Sequence, residues 1–235
     1  VEPSWTTHLI PHNLETGASD GANHVHSADV DDDGDMDIIA SFHYIDTVVW
    51  FENDGSADPT WTVVEIATDI DGAYEIFTED MDGDGDLDIL SSSENDDTIA
   101  WYENNGATDP TWTAADIATS ADGAWSVKAA DIDADGDLDI VSASYNDDTI
   151  AWYINDGAND PNWTAVDIAT TADGARAVTI ADLDGDGDLD ILSASANDDS
   201  IAWYENQGAA GNHLLTIADV TTANENAANA TFTVS

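Results

Sequence analysis

The sequence predicts an all-β chain: a β-propeller built from four 51-residue, four-stranded blade repeats, either four-bladed or part of a larger propeller. Three observations carry this. An acidic nonapeptide, D-x-D-x-D-G-x-x-D, begins at Asp29, Asp80, Asp131 and Asp182, each start 51 residues after the last. Asp-Gly-Ala at Asp20, Asp71, Asp122 and Asp173, and a Trp-led tetrapeptide ending in Asn at Trp50, Trp101, Trp152 and Trp203, keep the same phase. Such a period signals a solenoid, propeller or array. Gly, Asn, Asp and Pro punctuate the chain every 8–12 residues, and no segment has a helical period.

The second unit shows the elements in order. Residues 61–67 alternate, with Val63 and Glu65 on one face and Val64 and Ile66 on the other. A turn at Asp71-Gly72 precedes a strand over 74–78; the acidic loop leads into 87–92; a polar turn at Asn95-Asp-Asp97 leads into 98–103. The last two are apolar or small on both faces, as in strands covered by stacked sheets. Four-stranded sheets packed between neighbours at a fixed period are propeller blades. If the strand before each acidic loop is innermost, the Trp-led strand at Trp61, Trp112 and Trp163 is outermost. Blade four then needs an outer strand, for which residues 5–10 and 213–219 compete. Residues 1–210 form the repeats; 211–235 form extra strands, the start of a second β domain or an intersubunit strand.

Fifty-one acidic residues against Lys128 and Arg176 give a formal charge of −49. This charge excludes nucleic acid and anionic lipid as partners. There is no cysteine, and no apolar run reaches the roughly 18 residues of a membrane span. A start at Val1 without Met or signal peptide reads as a piece of a longer protein.

The loops carry the chemistry. Ca²⁺ takes about 6–8 oxygen ligands in flexible geometry. Alternating carboxylates on a tight loop converge on one point, and glycine permits the turn. In the fourth loop Asp182, Asp184, Asp186 and Asp190 are side-chain ligands and Asp188 gives its backbone carbonyl. By phase the other sets are Asp29, Asp31, Asp33 and Asp37 with Asp35; Asp80, Asp82, Asp84 and Asp88 with Asp86; and Asp131, Asp133, Asp135 and Asp139 with Asp137. Without a cation, two carboxylates about 4 Å apart repel by roughly 4 kcal/mol at an effective dielectric near 20. The expectation is about one Ca²⁺ per repeat, four in all, with stricter Mg²⁺ second. An EF-hand needs a Glu at the twelfth place, where this chain has Ala40, Ser91, Ser142 and Ser193.

Other signals are weaker. His24, His26 and His43 lack counterparts in the other units and read as polar surface rather than a zinc site. The Trp-led strands read as blade core rather than sugar-stacking platforms. Sequons stand at Asn162 and Asn229. No nucleophile–base set and no phosphate loop emerges, so the chain is expected not to be an enzyme.

The run DxDGDGDLDI, the strand LSAS, the turn NDDT and IAWYEN-G resemble the VCBS/FG-GAP repeat over about residues 20–208. The resemblance implies a propeller like that of integrin α-chains, with calcium in the hairpin between a blade's first two strands and an adhesive or scaffolding role. Family propellers usually have seven blades, and the Gly-Ala-Pro signature appears here as Gly-Ala. The tail from Leu215 is similar to the opening of a Calx-β domain. The function expected is a secreted, calcium-stabilised scaffold or adhesive module of a larger cell-surface protein, with a protein or glycan partner. The alternatives are a lectin, and a homo-oligomer or filament joined by a donated terminal strand from 213–235.

Overall fold

The structure, a computed structural model, describes residues 2–10, 14, 20–158 and 161–208. These contain fifteen strands and no helix. The first blade is β1 (Ala22–Ala28), β2 (Asp37–Phe42), β3 (Thr47–Asn53) and β4 (Trp61–Ala67). The second is β5 (Ala73–Glu79), β6 (Asp88–Ser93), β7 (Thr98–Asn104) and β8 (Trp112–Ala118). The third is β9 (Ala124–Ala130), β10 (Asp139–Ser144), β11 (Thr149–Asn155) and β12 (Trp163–Ala169). The fourth is β13 (Ala175–Ala181), β14 (Asp190–Ser195) and β15 (Ser200–Tyr204).

Each sheet is an antiparallel meander in chain order. The acidic loop is the hairpin between a blade's first two strands, closed at Ala28–Asp37, Glu79–Asp88, Ala130–Asp139 and Ala181–Asp190. The first strands β1, β5, β9 and β13 pack on one another in sequence, which makes them the inner strands.

Blades stack through the apolar faces of their middle strands. Val48, Trp50 and Ile39 of blade one meet Ile76, Ile89 and Tyr102 of blade two. Ile99 and Trp101 of blade two meet Val127, Ile140 and Tyr153 of blade three, and Ile150 and Val141 meet Val178 and Ile191 of blade four. Every blade thus has a forward face, led by the Trp of its third strand, and a back face, led by the Ile or Val of its first. Burial of one such side chain stabilises by about 1.5–3 kcal/mol. Trp50 and Trp101 are buried in these junctions, as blade core rather than as platforms.

Hydrogen bonds repeat at each junction. The second Asp of the turn after a blade's second strand accepts the glycine N–H of the next blade: Gly72 to Asp46, Gly123 to Asp97, and Gly174 to Asp148, at 2.8–3.0 Å. The Asp-Gly-Ala and Asn-Asp-Asp motifs are therefore two halves of one inter-blade clasp.

One expectation changes. Residues 5–10 form no strand and do not pair with blade four; instead Ile10 packs with Phe42 and Phe51 on the back of blade one. Residues 213–219 and the remainder of 211–235 lie outside the described residues. Within the described residues blade four has three strands.

Candidate metal site

The nonapeptide folds on itself in the same way four times. The first Asp accepts the backbone N–H of the glycine at the sixth place: Gly34 to Asp29, Gly85 to Asp80, Gly136 to Asp131 and Gly187 to Asp182, at 3.0–3.2 Å. That glycine has φ of 95°, 103°, 104° and 100° in the four loops, a conformation that L side chains rarely adopt. The fifth-place Asp accepts the N–H of the seventh residue, as from Asp35 to Asp33 at 2.9 Å. The loop backbone thereby fixes the first, third and fifth carboxylates toward one point.

Those three carboxylates converge in loops one to three: Asp29, Asp31 and Asp33; Asp80, Asp82 and Asp84; Asp131, Asp133 and Asp135. In loop four the converging set is Asp182, Asp184 and Asp190. Within each set, one oxygen per residue lies within 4.8 Å of the others. Asp31 Oδ1 and Asp80 Oδ1 are buried and have no hydrogen-bond partner. A buried carboxylate oxygen without a donor is costly. Hard oxygen ligands in a flexible loop fit a divalent cation, calcium first. The donor set passes that test, and these clusters could hold one metal ion per repeat.

The electrostatics agree. Burial, and then the Asp33 and Asp37 carboxylates, push Asp31 up to about 6. Asp82, Asp133 and Asp184 are raised too, with burial the largest cause and neighbouring carboxylates adding to it. A cation would reverse this bias.

The ninth and seventh positions have other neighbours. Asp37, Asp88, Asp139 and Asp190 are buried, and both oxygens of each accept backbone N–H groups. One comes from the second residue of the loop: Val30, Met81, Ile132 and Leu183. The other comes from the Asn that ends the Trp-led third strand: Asn53, Asn104, Asn155 and Asn206. Burial raises Asp88 to about 7 and Asp139 to about 6, against the pull of these N–H groups. In loop four Asp190 serves both the cluster and the staple. The seventh Asp leans on a glycine two residues past that Asn. A Cβ at Gly55, Gly106, Gly157 or Gly208 would stand 2.0–2.5 Å from Asp35, Asp86, Asp137 or Asp188 Oδ2.

The Asn is the residue that motif spacing missed. Its side-chain N–H₂ reaches the carbonyl of the eighth loop residue, Met36, Leu87, Leu138 or Leu189. In blades two and four it also reaches the preceding blade, from Asn104 to Val30 O and from Asn206 to Ile132 O, both at 3.0 Å. Its fixed place in all four units was the available signal. His24, His26 and His43 do not converge: His43 Nε2 meets Glu94 at 2.9 Å, and His24 lies 3.8 Å from Glu75.

A family model described as FG-GAP-like repeat matches residues 29–91, 80–142 and 131–193. No curated protein matches. Among solved structures the chain is similar to an Agrocybe aegerita lectin, described as recognising non-reducing terminal N-acetylglucosamine. The TM-score is 0.50 at 20% identity, covering 74% of this chain and 47% of that one. It is also similar to a putative 6-phosphogluconolactonase from Bacteroides uniformis, with a TM-score of 0.52 at 18% identity, covering 78% of this chain and 51% of that one. These likenesses show the fold alone, and the chain spans about half the length of either structure.

Proposed function

The chain belongs to the FG-GAP-like repeat family, and from that premise we propose that it is a calcium-pinned β-propeller module, the rigid scaffold of an extracellular adhesive protein. The observation that carries this reading is the fourfold acidic hairpin, with its carboxylates converged in every repeat. In each loop the first, third and fifth Asp would hold the ion, joined in loop four by Asp190. The ion supplies charge neutralisation, and the loop residues do the rest. The ninth Asp and the strand-end Asn couple the loop to the blade, so order in the loop is passed to the sheet.

Outside a cell, calcium at millimolar levels suits sites with Kd of about 10⁻⁴–10⁻³ M. The module would need no catalysis of its own and would present its face to a protein or glycan partner. Calorimetric titration of the calcium-free protein tests this. About four ions per chain are expected, with Asp82→Asn removing one. A titration without heat at millimolar calcium would overturn the reading.

A further inference from the structure

The four blades form an open series, and its two ends are complementary. At the fourth blade the forward face is bare. Ile201 is 76% exposed, whereas Val48, Ile99 and Ile150 at the same repeat position are 0% exposed. Trp203 is 49% exposed against 1% for Trp50, and Leu183 is exposed where Val30, Met81 and Ile132 are buried. On the first blade the back face shows the reverse. Val25 and Met36 are exposed, while Ile76, Val127 and Val178, the counterparts of Val25, are buried in junctions. The clasp is unmatched at the same two ends: Asp199 holds the turn conformation, φ 57°, of Asp46, Asp97 and Asp148, but no further blade offers it a glycine N–H.

The outer strand is unmatched as well. Pro3-Ser-Trp5-Thr-x-x-x-Ile10 repeats the pattern of Pro59-Thr-Trp61-Thr-x-x-x-Ile66 and of the strands at Trp112 and Trp163. Yet Trp5 is 91% exposed, and Leu9 is exposed with it. Ile10 already packs on the back of blade one, as Ile66 packs at the junction of blades one and two. Residues 5–10 thus lie where the outer strand of a preceding blade belongs. Blade four lacks that strand among the described residues, and beside it is a cavity of about 370 Å³ lined by Ile132, Trp152, Ile168, Leu189, Ile191 and Tyr204. At the two preceding junctions Trp112 and Trp163 pack at the corresponding place. The cavity continues the established interface between blades three and four.

We propose that the chain assembles head to tail, with the three-stranded fourth blade of one copy docking on the back of blade one of a second copy. The second copy's residues 5–10 add to β15 as the outer strand, with Trp5 in the cavity. An exposed strand edge accepts such a segment through main-chain hydrogen bonds, and a side-chain pocket sets its register. Charge favours the exchange. Residues 3–10 carry no carboxylate, whereas the outer strands at Trp61, Trp112 and Trp163 carry Glu65, Asp116 and Asp167. The contact is heterologous, so it closes a ring if the rotation allows and otherwise extends a filament. Docking covers Trp5, Leu9, Val25, Met36, Leu183, Ile201 and Trp203 together.

Sedimentation velocity of the full chain tests this, in millimolar calcium and enough salt to screen the charge to about 8 Å. Species of two copies or more are expected. Trp5→Asp and Trp203→Asp should each sediment as monomers with unchanged melts; Ile201→Asp replaces the second if it alters the fold. Mixing the two variants should restore one junction and stop at a dimer, because each retains one working end. A monomeric wild-type chain, as when residues 213–219 or the chain's own N-terminus fill the slot, overturns the proposal. So does a failure of the two monomeric variants to pair.

Discussion

The backbone N–H of Asn104 donates to Asp88 Oδ1 at 2.8 Å, and the Asn104 side chain donates to the carbonyl of Val30 in the preceding blade at 3.0 Å. One residue at the end of a third strand therefore ties its own acidic loop to the loop of its neighbour. The calcium hairpin and the blade junction are mechanically one unit.

Removing this staple should cost more than a surface carboxylate. Asp88→Ala leaves the N–H groups of Met81 and Asn104 without their acceptor. A buried unsatisfied group costs about 1–3 kcal/mol. Denaturant titration should show a loss of roughly that size, with Asn104→Ala non-additive in a double-mutant cycle. Additive losses would separate the two residues.

The seventh-place glycine contact sets a second expectation. Gly106 has φ 66°, and an added Cβ would stand 2.0 Å from Asp86 Oδ2. Gly106→Ala should therefore destabilise by about 1–2 kcal/mol from the backbone conformation alone and displace Asp86. Calcium titration should find the second site weakened and the others unchanged. Equal affinity at all four sites would remove Asp86 from the account.

Acidification should act in opposite directions on the calcium-free and calcium-loaded protein. Asp88 is raised to about 7, and Asp31 and Asp139 to about 6, from 3.8. Between about pH 4 and 7 the folded metal-free chain holds more protons than the unfolded one, so its stability falls as pH rises through that window. Lowering the pH from 7 to 5 should raise the melting temperature in chelator and shrink the increment that calcium adds. A metal-free melt that falls over the same range would contradict the carboxylate assignments.

Trp101, buried between blades two and three, separates packing from metal chemistry. Trp101→Ala should cost about 3–5 kcal/mol while isothermal titration still counts about four ions. Loss of calcium binding with the fold intact would show that the junction shapes the loop.

Much of this was legible in the sequence because the repeat is its own alignment. The 51-residue phase located the four hairpins, the turn positions and the Trp-led strands, and alternation assigned Val64 and Val63 to opposite faces, where they now pack in different junctions. The division of labour among the carboxylates was not legible. Five Asp at alternate places look equivalent as letters, but Asp88 is turned inward by two N–H groups that belong to residues 7 and 16 positions away. The outer strand of blade four also escaped: Pro3-Ser-Trp5 has the right letters, but pairing depends on where the end of the blade series lies in space.

The most direct test of the central claim, that calcium pins the blade hairpins, is the melting temperature by scanning calorimetry with millimolar calcium and with excess chelator. At free calcium ten times Kd each site contributes about 1.4 kcal/mol, so four sites should raise the transition by many degrees. Replacing the third-place Asp in all four loops (Asp31, Asp82, Asp133 and Asp184→Asn) should abolish the rise. Superimposable transitions with and without calcium would contradict the account.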